Sequence, residues 1–209
     1  MSDATSWDDR YRTAEFVWKP EPNRFLPVEV AGLQPGRALD LACGEGRNAV
    51  WLATEGWTVT GVDFSEVGLQ KAARLADSRH VTGEWIRADV TQWRSHTPFD
   101  LAIVFYLHLP AADRRAAFAA AARSLAPGAT LLIVGHDPAN LTEGTGGPQN
   151  PAVLYTPDDV RADLETSGVS DLVIDQAERV ERPVDTETGT IAAIDCLVRA
   201  HRSASSPGS

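Results

Sequence analysis

A glycine-rich turn and an acid at the next strand end have the residue types and spacing of a nucleoside site. Residues 39–49 read Leu-Asp-Leu-Ala-Cys-Gly-Glu-Gly-Arg-Asn-Ala, so an apolar run meets a Gly-x-Gly turn and a helical pattern begins at once. Gly44 and Gly46 allow close approach of a ligand beside the N–H groups of a helix N-terminus. Asp63 ends the next apolar run, where an acid can hold ribose hydroxyls. The pattern predicts an adenosine-binding α/β domain.

Further polar residues follow later strand ends. Tyr106 and His108 come after the apolar run 99–105, and His136 comes after the run 130–135, with Asp137 beside it. Because ligands bind at the carboxyl edge of parallel strands, we expect these side chains to point into one cleft.

A parallel sheet is the element that would position these residues. Apolar runs of strand length alternate with helical patterns from residue 37 to residue 135, which is typical of a parallel sheet covered on both faces. The predicted strands are 37–42, 57–62, 81–87, 99–105 and 130–135, and the predicted helices are 48–55, 66–77 and 113–125. Ser6 is a candidate cap for an N-terminal helix, and Pro127-Gly128 predicts the end of the helix 113–125.

The pattern changes after residue 136. Residues 137–154 are rich in Gly, Pro and Asn, and a loop of this length is usually functional or disordered. Thr156 is expected to cap a helix that runs to about residue 166. The remaining predicted elements are two strands, 170–182 and 190–200, joined as an antiparallel hairpin through 183–189, and a disordered tail, 203–209.

Composition restricts the classes of partner. The chain of 209 residues has a formal net charge of −10, and the basic residues form no run. This balance disfavours nucleic acid and membrane surfaces as partners. We expect a soluble cytoplasmic protein, since no apolar run is long enough to span a bilayer and the N-terminus does not read as a signal peptide. The histidines and the two cysteines show no metal-ligand spacing, so no metal is expected.

Three motifs carry a resemblance to a known family. They are Leu-Asp-Leu-Ala-Cys-Gly-Glu-Gly, Val-Asp-Phe-Ser and Arg-Ala-Asp-Val, and they occur in that family's order and spacing. On these motifs the chain resembles the class I S-adenosylmethionine (SAM) dependent methyltransferases over residues 6–201. Cys-Gly-Glu-Gly-Arg-Asn-Ala and the N-terminal Trp…Tyr-Arg…Trp…Pro-Asn segment are similar to the tellurite-resistance and thiopurine group of small-molecule methyltransferases.

The resemblance implies a fold and a division of the chain. The fold is a single α/β domain, with a Rossmann-like, doubly wound, seven-stranded, mostly parallel sheet and a C-terminal antiparallel hairpin. The methyltransferase domain would cover residues 1–202, with an N-terminal helical cap over 1–33 and an active-site loop over 137–155.

The resemblance also implies residue roles along the cofactor. Asp40 would reach the methionyl amino group, Asp63 the ribose hydroxyls and Asp89 the adenine amino group. The other implied cofactor contacts are Trp18 as part of a lid, Cys43, Gly44 and Gly46 in the turn, Phe64 against the adenine, the Val90 N–H and the Phe105 carbonyl. Acids suit SAM because it carries an ammonium and a sulfonium group, whereas a dinucleotide would bring a pyrophosphate.

Methyl transfer from a sulfonium requires alignment and exclusion of water more than it requires acid–base chemistry. A proton acceptor is needed only where the nucleophile arrives protonated. Tyr106, His108 and His136 are the candidate catalytic residues, and we expect His108 or His136 to orient or deprotonate a small-molecule acceptor. Thiol, heteroatom oxyanion, phenolic hydroxyl and ring nitrogen all remain open as acceptors, and the sequence does not specify the oligomeric state.

Two other interpretations share parts of this pattern. A short-chain dehydrogenase that uses NAD(P) has the glycine turn and the ribose acid, but it needs a Tyr-x-x-x-Lys pair. Neither Lys19 nor Lys71 has a tyrosine four residues before it, which disfavours that interpretation. The other is a SAM-binding interaction module without turnover.

Overall fold

A seven-stranded sheet forms the centre of the protein. The computed structural model describes residues 4–12, 21–186 and 189–204. The strands are β1 (Arg37–Leu41), β2 (Thr58–Asp63), β3 (Gly83–Arg87), β4 (Phe99–Phe105), β5 (Leu125–His136), β6 (Leu172–Thr186) and β7 (Gly189–Arg202). Their order is β3-β2-β1-β4-β5-β7-β6; the first five are parallel, and β7 is antiparallel to both β5 and β6. The predicted mostly parallel sheet with its terminal hairpin is therefore confirmed.

Helices cover both faces of this sheet. They are α1 (Ala4–Arg12), α2 (Phe25–Glu29), α3 (Arg47–Thr54), α4 (Glu66–Ser78), α5 (Ala111–Arg123) and α6 (Pro157–Glu165). Strand β4 shows the two-sided burial, because Leu101 and Ile103 pack into the core with α2 and α3, whereas Ala102 and Val104 pack into the core with α5 and α6. Near-continuous apolar runs are expected for strands buried on both faces.

The order of the strands reverses at β1, which lies between β2 and β4. In doubly wound sheets the crevice at this switch point, beyond the carboxyl ends of the strands, is where ligands bind. Residues that follow β1, β2 and β4 therefore share one edge of the molecule.

Several predicted boundaries need correction. Helix α5 ends at Arg123, and Pro127 and Gly128 lie within β5, because the Ser124 carbonyl accepts from the Phe99 N–H at 2.9 Å and pairing with β4 begins there. Ser6 lies inside α1 and is not its cap.

The predicted hairpin connection was also too long. Pairing of β6 with β7 continues to Thr186 opposite Gly189, so most of the segment 183–189 is strand. Pro183 is tolerated there because β6 is an edge strand, where a missing N–H need not break a ladder bond.

The helix after the long loop begins as expected. The Thr156 side chain accepts from the Asp159 N–H at 3.1 Å, and the Asp159 carboxylate accepts from the Thr156 N–H at 2.8 Å. This reciprocal capping box fixes the start of α6. The described part of the chain has no helix long and apolar enough to cross a membrane.

Candidate functional site

Asp63 holds the glycine turn in place. Its buried carboxylate accepts hydrogen bonds from the Gly44 N–H at 2.8 Å and the Ser65 N–H at 2.9 Å. Burial raises the pKa of Asp63, and the backbone N–H groups oppose that shift. Asp63 is thus hydrogen-bonded to the turn that follows β1, and both lie at the switch point of the sheet.

Asp40 is the second buried acid of this edge. One of its oxygens accepts from the Ala49 N–H at 3.2 Å, at the start of α3. Burial, together with the nearby Asp63, raises the pKa of Asp40 to about 7, against the opposing effects of the Ala49 hydrogen bond and the Arg47 charge. A buried carboxylate with a raised pKa gains most from a cation, because the cation stabilises its ionised form.

The two turn glycines meet different constraints. Both have positive φ, at 53° for Gly44 and 78° for Gly46. A Cβ at Gly46 would lie 2.5 Å from the Ala72 Cβ, so this glycine lets α3 and α4 pack closely. A Cβ at Gly44 would lie 2.7 Å from the Tyr11 hydroxyl oxygen of α1. Gly46 therefore has a packing role, and its contact with the cofactor stays a prediction.

Helix α1 lies directly over the turn and the start of α4. The Ser65 hydroxyl donates to Asp8, and the Tyr11 ring lies under the Lys71 ammonium at 5.8 Å. Lys71 in turn forms a buried ion pair with Glu45 of the turn at 2.8 Å. Sequence reasoning missed this pair; its one signal was the occurrence of a lysine within the otherwise apolar face of α4.

The remaining predicted cofactor residues occupy the same edge. Asp89 is exposed, and one of its oxygens accepts from the Thr91 N–H at 2.9 Å and from its hydroxyl at 2.7 Å, so it also forms a turn. Cys43, Val90 and Phe105 are buried, and Phe64 is half-buried. Trp18 lies outside the described residues. The cofactor roles of these residues stay predictions.

Tyr106 begins a second cluster, just after β4. It has a positive φ of 56°, and its hydroxyl donates to the Asp195 carboxylate at 2.8 Å. Arg182 of β6 donates to the same Asp195 oxygen at 2.7 Å and to the Tyr106 hydroxyl oxygen at 3.1 Å. Asn23, before α2, donates to the Tyr106 hydroxyl oxygen at 3.3 Å.

His108 and His136 are brought together as predicted from their strand ends. Their rings stack 5.2 Å apart with 9° between their planes, and the Tyr106 ring lies 4.9 Å from that of His136. His136 Nδ1 is 2.9 Å from the second Asp195 oxygen. Sequence reasoning missed Asp195 and Arg182, although an acid inside the apolar run 191–198 was a usable signal.

The loop after β5 covers the His136 ring. A Cβ at Gly147 would lie 2.5 Å from His136 Cδ2 and 2.7 Å from Nε2, so only glycine fits there. Asn140 fixes this stretch, because its amide donates to the Thr145 and Gly146 carbonyls and its oxygen accepts from the Ile194 N–H of β7 at 2.7 Å. Within the described ranges, no group of three or more His, Cys, Asp or Glu side chains is placed to hold a metal ion.

Comparison with known proteins gives both a domain and relatives. Residues 38–128 match a family described as a methyltransferase domain. A thiocyanate methyltransferase of Brassica oleracea is 31% identical over 151 residues, which are 68% of this chain and 64% of that protein. A 2-heptyl-1-hydroxyquinolin-4(1H)-one methyltransferase of Mycobacteroides abscessus is 27% identical over 138 residues, or 63% of this chain and 60% of that protein. The chain thus spans less than two thirds of the length of these curated relatives.

A solved structure shares the whole architecture. The N-methyltransferase NodS of Bradyrhizobium japonicum, in complex with S-adenosyl-L-homocysteine (SAH), is similar with a TM-score of 0.71 over 96% of this chain and 98% of that one. The two sequences are 17% identical, so this likeness shows the fold alone.

Proposed function

We propose that this chain transfers a methyl group from SAM to a small-molecule acceptor, since residues 38–128 match a methyltransferase domain. The observation that carries this proposal is the pair of buried acids at the switch point of the sheet. Burial and the nearby Asp63 raise the pKa of Asp40, so a cation would stabilise its ionised form, and two backbone N–H groups already fix the Asp63 carboxylate.

The chemistry of this donor set fits SAM. When bound, SAM supplies a methyl group activated by the positive sulfur. Asp40 would hold the cationic methionyl ammonium, and Asp63 would accept from the ribose hydroxyls with the lone pairs that the turn leaves unused. Asp89 has one carboxylate oxygen without a partner among the described residues, which suits an amino donor such as that of adenine.

The second cluster would take the acceptor. Tyr106, His108 and His136 lie at the ends of β4 and β5, and Gly147 packs against the imidazole of His136. Exclusion of water strengthens polar contacts and protects an in-line displacement from competing solvent. Cover by this loop would favour a small molecule over a macromolecular acceptor.

The test is methyl transfer from methyl-labelled SAM. The two probes are 2-heptyl-1-hydroxyquinolin-4(1H)-one and thiocyanate, because these compounds are named as the substrates of two relatives of this chain. We expect label to reach at least one probe. SAM binding without transfer to these or to a wider panel of thiols, phenols and ring nitrogens would instead support the interaction module.

The Asp63→Asn variant tests the cofactor half of the site. An amide at this position turns a donor toward the N–H of Gly44 or Ser65, and it removes a charge-assisted bond to the ribose. We expect the KM for SAM to rise about 10- to 100-fold, corresponding to about 1.5–3 kcal/mol for a hydrogen bond to a charged group. Asp77→Asn, at an exposed position of α4, is the matched control. Equal KM values for the two variants would contradict the assignment.

A further inference from the structure

Resting on the methyl transfer proposed above, we infer that Asp195 is a positioning residue that holds His136 as the base for a proton-bearing acceptor. The acceptor would then be a hydroxyl, thiol or N–H compound rather than an anion such as thiocyanate, which has no proton to lose. Four groups of observations carry this inference: the contact between the two side chains, the partners of Asp195, the state of His108 and the position of the covering loop.

The contact between the two side chains favours one tautomer of His136. Nδ1 lies 2.9 Å from an oxygen of Asp195, a residue with no solvent exposure, but the pair does not meet hydrogen-bond geometry, and neither atom has a hydrogen-bond partner among the described residues. Because a carboxylate attracts an imidazole N–H and repels a lone pair, this proximity favours the neutral ring with its proton on Nδ1 and its lone pair on Nε2. His136 Nε2 makes no hydrogen bond to any residue that the structure describes, and it is therefore available to an acceptor.

The other Asp195 oxygen is fixed by two donors. Tyr106 donates to it at 2.8 Å and Arg182 at 2.7 Å. Burial raises the pKa of Asp195, but hydrogen bonds from His136 and Arg182 outweigh burial and bring the pKa below its ordinary value. Asp195 is thus ionised and oriented, and it can stabilise an imidazolium at His136.

His108 is excluded from the base role by its own partner. Its Nε2 accepts from the His136 backbone N–H at 3.2 Å, so the lone pair of that nitrogen is used. Burial and the neighbouring His136 lower the pKa of His108 to about 3, so the ring stays neutral. Burial and Asp195 raise the pKa of Tyr106 well above its usual range, and Tyr106 therefore remains a donor.

Other charged groups near His136 are already paired. Asp137, the next residue, forms an ion pair with Arg179 at 3.0 Å, and Arg182 is paired with Asp195. The Tyr155 N–H donates to the His136 carbonyl at 3.3 Å. A Cβ at Gly147 would lie 2.5 Å from Cδ2, 2.7 Å from Nε2 and 2.9 Å from Cγ, so the loop backbone packs against the ring beside the nitrogen that would take the proton.

The proposed step balances without a further reactant. His136 Nε2 takes the proton of the acceptor, and the electron pair left on the acceptor atom forms the bond to the methyl carbon. The carbon–sulfur bond breaks with its pair on sulfur, which gives SAH and the methylated product. The proton then passes from His136 to solvent.

The test is the tautomer of His136, measured by ¹⁵N NMR of its imidazole in the full chain at a pH where the ring is neutral. We expect the Nδ1–H form in the wild type. In Asp195→Asn, the Tyr106 and Arg182 donors retain the amide oxygen, so the amide NH₂ faces Nδ1 and the ring changes to the Nε2–H form. An Nε2–H tautomer in the wild type would overturn the inference without any variant.

A second His–Asp pair in the same hairpin supplies the control. His201 Nδ1 lies 2.8 Å from Asp175 at an exposed site, so Asp175→Asn removes a similar contact far from the cleft. With the hydroxyquinolone probe we expect Asp195→Asn to lower kcat about 10²- to 10⁴-fold, the range for loss of general base catalysis. Asp175→Asn should leave kcat unchanged.

Titration of the same samples with SAM separates the two proposals. Wild-type protein that binds no SAM contradicts the methyltransferase proposal, whatever the tautomer of His136. Protein that binds SAM and methylates thiocyanate, but methylates no proton-bearing acceptor, contradicts the role of His136 as a base.

Discussion

Asp40 occupies a place where its charge is unfavourable until a cation is present. Its buried carboxyl has a single described hydrogen-bond donor, the Ala49 N–H, and a second acid lies nearby. A ligand ammonium would lower the pKa of Asp40, because an opposite charge close by favours the ionised form. Binding of SAM is therefore expected to displace a proton from this residue.

The expected proton release has a defined pH dependence. With a pKa of about 7 in the free protein, Asp40 is about half protonated at pH 7, so SAM binding at that pH should release about half a proton. The release from Asp40 falls toward zero by pH 9, and the affinity for SAM rises with pH up to about 7 and then falls as the α-ammonium of SAM loses its proton at about pH 8. Calorimetric titrations in phosphate and in Tris measure the released protons. Equal binding heats in the two buffers at pH 7 would contradict the role of Asp40.

Gly46 gives a stability prediction at the same scale. Gly46→Ala combines positive-φ strain of about 1–2 kcal/mol with a steric overlap against Ala72 that costs about 1–3 kcal/mol more. Gly32→Ala is the matched control, because Gly32 also has positive φ but no atom lies within 4 Å of its Cβ position. Urea unfolding should show a larger loss of unfolding free energy for Gly46→Ala. Equal losses would mean that the contact between α3 and α4 adjusts freely.

At the scale of elements, the long segment after β5 behaves as an anchored cover rather than an open loop. The Asn140 side chain forms hydrogen bonds to two carbonyls within this segment and to the Ile194 N–H of β7. The sequence predicted a functional segment from its length and its Gly and Pro content. It did not predict this anchor, because Asn140 and Ile194 are 54 residues apart in the chain.

Removal of the anchor should loosen the cover. In Asn140→Ala we expect faster amide hydrogen exchange over residues 142–149, since three hydrogen bonds are lost, while the strands keep their protection. Asn150→Ala is the control, because Asn150 only caps the 3-10 helix Pro151–Val153. Unchanged exchange in Asn140→Ala would show that packing alone holds the segment in place.

The two halves of the site were predictable to different degrees. Gly44, Asp63 and Asp89 can be predicted from sequence because each lies at or just past a strand end, and a local pattern marks that position. Prediction of the other cluster requires the register between distant strands. Tyr106 and Asp195 are 89 residues apart, and they meet only because β7 pairs antiparallel with β5 so that His136 lies opposite Asp195. Strand patterns predict such a hairpin but not its alignment.

At the scale of the whole molecule, the doubly wound sheet brings both clusters to one edge. Under the proposed function, the turn after β1 and Asp63 at the end of β2 would form the cofactor half, and the residues at the ends of β4 and β5 would form the acceptor half. The parallel order followed from alternating strand and helix patterns in the sequence. This edge is therefore expected to bind a cationic, adenosine-bearing donor through its acids.

Calorimetric titration of the full chain with SAM, SAH and NAD tests this expectation. We expect saturable heat with SAM and with SAH at one site per chain, and no saturable heat with NAD, whose pyrophosphate the buried acids repel. Saturable binding of NAD, or no binding of either SAM or SAH by folded protein, would contradict it.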